Sequence, residues 1–75
     1  MPVIEQNGNE INPLRVRECL DSLERYCQCA VTPDRVYMLS TGQYMIIATS
    51  REGVVWLIET RKEGTGVDLE NLSER

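Results

Sequence analysis

The sequence contains no histidine and no phenylalanine, and it has only one tryptophan and one lysine. Histidine is the side chain that most often acts as a general base near neutral pH, so the commonest catalytic proton acceptor is missing. A chain of 75 residues is also short for enclosing a dry catalytic pocket. We therefore predict that the protein is not an enzyme, with no catalytic residues, no metal ligands and no cofactor.

Long apolar runs are also lacking. No stretch approaches the roughly 20 apolar residues that a membrane-spanning helix needs. Residues 1–7 do not combine a basic start with an apolar segment, so no export signal is predicted. Three cysteines, an odd number, cannot all pair within one chain. Free thiols without an export signal indicate the reducing cytoplasm and no membrane partner.

Basic charge is scarce and unevenly placed. The net charge is −4, of which residues 1–12 contribute −2 and residues 63–75 contribute −3, whereas residues 13–62 carry +1. Phosphate backbones are bound mainly by lysine and arginine, and here Lys62 is the single lysine. The composition therefore does not favour a nucleic-acid partner.

The β-forming residues are concentrated between Val36 and Arg61. They fall into three runs separated by two short breaks, which contain Gly42 and Gly53. The runs are 36–39, 44–49 and 54–61. This arrangement predicts a three-stranded antiparallel meander. All three runs are apolar on both faces, which is typical of strands that are covered on both sides.

One amphipathic helix precedes the meander. Asn12 is a suitable N-cap, and Pro13 suits the first helical position because its missing N–H needs no partner there. Ile11 before the cap and Val16 in the helix match a hydrophobic staple. The predicted apolar stripe consists of Val16, Cys19, Leu20, Leu23, Cys27 and Ala30. The opposite side of the helix is charged and faces water.

The helix is predicted to end near Ala30, because Pro33 disfavours helical geometry in the residue before it. Residues 32–35 would then form the turn into the sheet. At the other end of the chain, Val3-Ile4 can add a short edge strand, followed by a turn at Asn7-Gly8.

Together these patterns predict an α+β fold, in which one amphipathic helix packs on a three-stranded antiparallel β-meander with a short extra N-terminal strand as an option. Residues 1–63 would form the single α+β domain. Residues 64–75 would form an acidic, flexible C-terminal tail.

The register of the meander decides which residues share a face. With two-residue turns at Thr41-Gly42 and Arg51-Glu52, Met38 faces Met45 across the first hairpin. The helix then covers the sheet face that holds Trp56, and the other face has no obvious cover. Alternatively, a turn glycine adopts a left-handed bulge, which shifts a pairing by one residue and exchanges the faces of a strand.

The uncovered face is the predicted interaction site. Its residues are Tyr37, Leu39, Tyr44, Ile46, Val55 and Leu57. An apolar face of this kind marks a protein interface, and tyrosine is enriched in interface cores. We predict a small non-catalytic regulatory module that binds itself as a homodimer or binds another protein. The open alternatives are that the terminal segments cover this face in a monomer, or that edges 36–39 or 54–61 pair between chains.

The cysteines and the acidic ends support two further interpretations. Cys19 and Cys27 lie on the apolar stripe and act there as small hydrophobes, whereas Cys29 points elsewhere. No histidine completes a zinc site. Cys27 and Cys29 still allow a metal or redox sensor, with Cys29 as the exposed, reactive thiol. The acidic ends allow an inhibitor or adaptor that imitates nucleic acid and blocks a partner protein.

Overall fold

The computed structural model describes residues 3–4 and 11–74. Its elements are β1 (Val3–Ile4), α1 (Pro13–Cys27), β2 (Val31–Met38), β3 (Tyr44–Ser50), β4 (Val55–Thr60), β5 (Val67–Asn71) and a 3-10 turn, Leu72–Glu74. The strands form one sheet in chain order, with β1 parallel to β2 and the other neighbours antiparallel. The helix packs on one face of this sheet, which confirms the α+β class.

The N-terminal edge strand suggested by the sequence is present. The backbone of β1 pairs with Val36 and Tyr37 of β2. The turn predicted at Asn7-Gly8 lies outside the residues that the structure describes.

β5 is a strand that the sequence analysis missed. It lies within residues 64–75, for which a flexible tail is predicted, and it pairs along its length with β4. Val67 and Leu69 of β5 pack against the core, whereas Asp68 and Glu70 alternate with them. This alternation over a short segment was the available signal for a strand. The meander therefore has four antiparallel strands, and the prediction of three is wrong in that respect.

The helix begins where the sequence predicts. The Asn12 side chain caps it, since its Oδ1 accepts a hydrogen bond from the Leu14 N–H at 2.9 Å. The Asn12 N–H in turn donates to the Tyr44 hydroxyl at 2.8 Å. The cap therefore satisfies backbone groups at the helix start and also ties that start to β3.

The helix ends at Cys27 rather than near Ala30. Gln28 follows it in the left-handed conformation, with φ 56 and ψ 40, which is a common way for helices to terminate. Just before this point, Glu24 Oε2 accepts the backbone N–H of Val31 at 3.2 Å. This bond links the last turn of the helix to the first residue of β2.

The predicted turn at residues 32–35 is part of β2 instead. Pro33 lies inside this strand, next to an irregularity in the pairing between Pro33 and Arg35. On the other edge, the described residues of β1 pair with Val36 and Tyr37, beyond Pro33. A proline is tolerated at such a bulge and edge because its position needs no N–H partner.

Both hairpin turns contain three residues rather than the two predicted. In the first, the Gly42 N–H donates to the Leu39 carbonyl at 2.9 Å and the Leu39 N–H donates to the Gln43 carbonyl at 2.8 Å. Gly42 has φ 87, and the second turn repeats the same pattern around Gly53, at φ 86. A turn followed by a left-handed glycine is a standard three-residue hairpin loop. Each turn shifts its pairing by one residue.

The first shift inverts β3. Met38 pairs with Tyr44 instead of Met45, so Tyr44 and Ile46 lie beneath the helix with exposed fractions of 4% and 0%. Placing these two residues on the uncovered face is therefore wrong. The alternative of a left-handed bulge at the turn glycine describes this hairpin correctly.

The second shift returns the side chains of β4 to the faces predicted for them. Ile46 pairs with Ile58, so Ile58 stays on the helix side of the sheet together with Trp56, as predicted. The core lies between this sheet face and the helix. Its largest fully enclosed side chains are Leu23, Val36, Ile46 and Ile58.

Replacing the first turn glycine should destabilise the protein through the backbone alone. No atom lies within 4 Å of a Cβ built on Gly42, so Gly42→Ala causes no clash. The left-handed φ disfavours alanine, and we expect a loss of about 1 kcal/mol in the free energy of unfolding, measured by urea denaturation. Ser40→Ala in the same exposed turn is the control, expected within about 0.5 kcal/mol of the unchanged protein. Equal stabilities of the two variants would contradict the turn geometry.

Removing one hydroxyl distinguishes the two sheet-face tyrosines. Tyr44→Phe leaves the Asn12 N–H without its acceptor, and we expect a loss of about 1 to 2 kcal/mol in the free energy of unfolding. Tyr37→Phe is the matched control on the opposite face and should change it by less than about 0.5 kcal/mol. Denaturation of both variants in urea makes the comparison. Equally small losses for the two variants would support the two-residue turn register instead, because both tyrosines would then lie on the uncovered face.

Candidate functional site

The sheet face opposite the helix, here called the open face, collects apolar side chains along its middle. Three of them, Tyr37, Val55 and Leu57, belong to the predicted interaction site. Met45 and Ile47 take the places that were predicted for Tyr44 and Ile46. These five apolar residues of the open face are each partly buried.

Leu39, the remaining predicted residue, lies at the start of the first hairpin turn and is half-buried there. Met45 and Ile47 were missed because the two-residue turn placed them under the helix. Gly42 was the signal that could have found them, since a left-handed glycine at that position turns Met45 and Ile47 outward.

Two rows of residues cross the open face at right angles to the strands. One row joins Arg35, Ile47, Leu57 and Glu70 by direct pairing of neighbouring strands, and the next joins Tyr37, Met45, Glu59 and Asp68. The basic group thus lies on β2, at one side of the face. The acidic groups lie on β4 and β5, at the other side, with the apolar residues between them.

Most of the strand positions proposed for pairing between chains are already paired within the sheet. Residues 36 and 37 of β2 pair with β1, and the whole of β4 lies between β3 and β5. The sheet ends at β1 on one side and at β5 on the other, and β5 carries Asp68 and Glu70. Charged residues on an edge strand discourage pairing with another chain. The open face is therefore the more suitable surface for contact.

A cleft of about 550 Å³ lies between the helix and the β4–β5 connection. Its charged lining residues are Arg15, Glu18, Arg25 and Arg61. Arg15 Nε lies 3.7 Å from Glu18 Oε1, and Arg61 Nε lies 3.3 Å from Asp68 Oδ1. Because two of its three guanidinium groups are ion-paired and exposed, the cleft attracts an anion only weakly.

The carboxylates of the helix have structural partners. Arg17 binds Asp21 through Nε at 2.8 Å and Glu24 through a terminal nitrogen at 2.9 Å. Glu24 also accepts the Val31 N–H described above. Both carboxylates are therefore engaged by Arg17, and Glu24 is also engaged by the backbone of Val31.

The three cysteines lie in two different environments. Cys19 lies on the buried side of the helix, and this burial raises the pKa of its thiol; Arg15 nearby opposes the shift and Glu18 adds to it. Cys27 and Cys29 lie at the helix end, with their Sγ atoms 3.3 Å apart. The Cys29 thiol is also 3.6 Å from Glu52 Oε1. The structure therefore brings together the two cysteines that the sequence separates by one residue.

Other functional features are sparse in the described part of the chain. Within residues 3–4 and 11–74, no group of three or more His, Cys, Asp or Glu side chains is arranged to hold a metal ion. In the same residues the only α-helix, α1, is too short and too polar to cross a membrane. The chain matches no protein-family model, and it resembles no curated protein and no solved structure closely enough to indicate kinship.

Proposed function

We propose that this chain is a small, non-catalytic interaction module of the cytoplasm that forms a homodimer through its open face. The observation that carries the proposal is the row Arg35, Ile47, Leu57, Glu70, which is apolar in the middle and oppositely charged at its ends. Such a row is complementary to a reversed copy of itself. The absence of histidine and the engagement of Asp21 and Glu24 by Arg17 support a function without catalysis.

The proposed dimer stacks two open faces about a two-fold axis that runs parallel to the strands between β3 and β4. This axis lays each row over the same row of the second copy in reverse order. Ile47 then meets Leu57 of the second copy, and Arg35 meets Glu70. In the neighbouring row, the Tyr37 hydroxyl approaches Asp68 of the second copy and can donate a hydrogen bond to it.

The charges disfavour the other face-to-face arrangement. An axis perpendicular to the strands would lay β5 over β5 of the second copy. Glu70 and Asp68, the latter ion-paired with Arg61, would then lie close to the same acidic residues of the second copy, and like charges across an interface cost binding free energy. The distribution of charge therefore selects one of the two symmetric ways of stacking this face.

The size of the face sets the expected strength of the dimer. Four strands about 4.8 Å apart, with about five residues of 3.4 Å each, give a footprint of roughly 300 Å². A standard interface buries about 800 Å² per partner. We therefore expect a weak dimer that forms only at micromolar or higher protein concentration.

A single acidic substitution at the centre of the open face should abolish self-association. Ile47→Glu places a carboxylate against Leu57 of the second copy, where desolvation penalises the charge. The matched control is Leu14→Glu on the helix, where Leu14 is 74% exposed. Sedimentation equilibrium from low micromolar to near-millimolar protein should show a rising mass for the native chain and for Leu14→Glu, and a constant monomer mass for Ile47→Glu.

The same experiment separates self-association from other uses of the open face. A monomeric native chain at the highest concentration would refute the homodimer and would leave the face for a different protein. Circular dichroism of Ile47→Glu checks that the helix and sheet are intact. An unfolded variant would be replaced by Met45→Glu, whose position in the neighbouring row serves the same purpose.

Charge reversal tests the direction of stacking. Arg35→Glu should raise the dissociation constant of the dimer by about tenfold. The contact between Arg35 and Glu70 occurs twice in a two-fold symmetric dimer, so the substitution removes two contacts. Combining Arg35→Glu with Glu70→Arg should restore it to within about threefold of the native value. Dissociation constants from sedimentation equilibrium at low salt provide the comparison. A double variant as weak as the single one would argue against this stacking.

A further inference from the structure

Cys27 and Cys29 lie on either side of a sharply bent residue. Gln28 between them has φ 56 and ψ 40, and the backbone curls so that the two Sγ atoms are 3.3 Å apart. We infer that these two cysteines form a reversible dithiol site, which closes to an intramolecular disulfide by exchange with small-molecule disulfides. The inference does not depend on the homodimer, because the pair lies at the helix end and not on the open face.

The geometry requires only a short movement for closure. A disulfide bond is about 2.05 Å long, compared with the 3.3 Å between the two sulfur atoms. Cys27 is the last residue of the helix, and Cys29 lies in the irregular segment between the helix and β2. Cys27 is only partly buried at the margin of the core, so rotation of the two side chains can bring the sulfurs together without opening the core.

The surroundings of Cys29 set its reactivity. The pKa of its thiol is raised, first because the S–H donates to Cys27 Sγ, and further by partial burial and by the electrostatic influence of Cys27 and Glu52. The backbone N–H of Arg51 acts in the opposite direction. A raised pKa leaves little thiolate at neutral pH, so exchange is slow there and accelerates as the pH rises toward that pKa.

The reaction balances with oxidised glutathione as the oxidant. A thiolate of the pair attacks the glutathione disulfide, forms a mixed disulfide and releases one glutathione thiolate. The second thiol loses its proton and attacks the protein sulfur of the mixed disulfide. The Cys27–Cys29 bond forms, a second glutathione leaves, and each glutathione thiolate takes up one proton. The protein loses two electrons and two protons, which reappear in two molecules of reduced glutathione.

Cys19 provides an internal reference. It is 3% exposed, and burial raises the pKa of its thiol, so small disulfides neither reach it nor find it ionised. Trypsin cleaves after arginine, which places Cys19 in peptide 18–25 and the other two cysteines in peptide 26–35. The two environments can therefore be followed separately in one digest.

The first experiment equilibrates the native chain with mixtures of reduced and oxidised glutathione, blocks the remaining thiols in acid and maps the tryptic peptides by mass spectrometry. Peptide 26–35 should lose two hydrogens without gaining glutathione, while peptide 18–25 is blocked as a free thiol. No loss of hydrogen, a disulfide between chains or a persistent glutathione adduct on peptide 26–35 would each overturn the inference.

The glutathione dependence distinguishes closure from simple adduct formation. Closure releases two glutathione molecules, so its equilibrium depends on the square of the reduced glutathione concentration. Diluting both glutathione forms tenfold at a constant ratio should raise the oxidised-to-reduced ratio of the pair about tenfold. An adduct on one cysteine would leave that ratio unchanged, which would contradict the dithiol site.

Two variants complete the test. Cys27→Ala should trap glutathione on Cys29, because no second thiol is present to displace it. The Cys19→Ala variant should form the Cys27–Cys29 disulfide as the native chain does. The rate of closure should increase about tenfold per pH unit below the pKa of the attacking thiol. Closure at the same rate from pH 6 to 9 would show that thiolate formation does not control it and would overturn the assignment of an ordinary dithiol.

Discussion

The left-handed backbone at Gly42 and Gly53 is the constraint on which the arrangement of the sheet depends. In a strand, neighbouring side chains point to opposite faces, so one extra turn residue exchanges the two faces of everything that follows. The first turn rotates β3 by this amount, and the second rotates β4 back. As a result Tyr44 contacts the helix side, while the central strand contributes Met45 and Ile47 to the open face.

Polar contacts at both ends of the helix complement the small core. At the start, the Asn12 N–H binds the Tyr44 hydroxyl, and at the end Glu24 binds the Val31 N–H. Beyond the helix, the Arg51 N–H donates to the Ala30 carbonyl at 2.9 Å. A chain of this size buries only about 60% of its unfolded surface, so such contacts matter for holding the helix in one position. They also fix the segment that carries Cys27 and Cys29.

The two proposed activities use different parts of the molecule. The open face offers an apolar centre with separated charges, which suits weak association with a second copy. The cysteine pair lies at the helix end, beside the turn of Gly53, and offers thiol chemistry controlled by its local hydrogen bonds. Because no residue is shared between the two sites, oxidation of the dithiol and self-association can be measured independently.

Local signals in the sequence determined the class of fold and the start of the helix. Asn12 and Pro13 combine a capping side chain with a residue that needs no N–H partner, and both properties depend only on neighbouring atoms. The same holds for the β-rich runs of the central meander, which the structure contains.

The tertiary structure decided the pairing partners and the faces. A two-residue and a three-residue turn fit the same glycine-containing breaks, and packing of Tyr44 and Ile46 beneath the helix distinguishes them. Residues 64–75 contain too few apolar side chains to define a strand alone, but β4 supplies the hydrogen bonds and the core receives Val67 and Leu69. The spacing of Cys27 and Cys29 was visible in the sequence, whereas their 3.3 Å contact required the left-handed turn at Gln28. Such features depend on atoms that are distant in the chain or on a backbone angle that residue type does not specify.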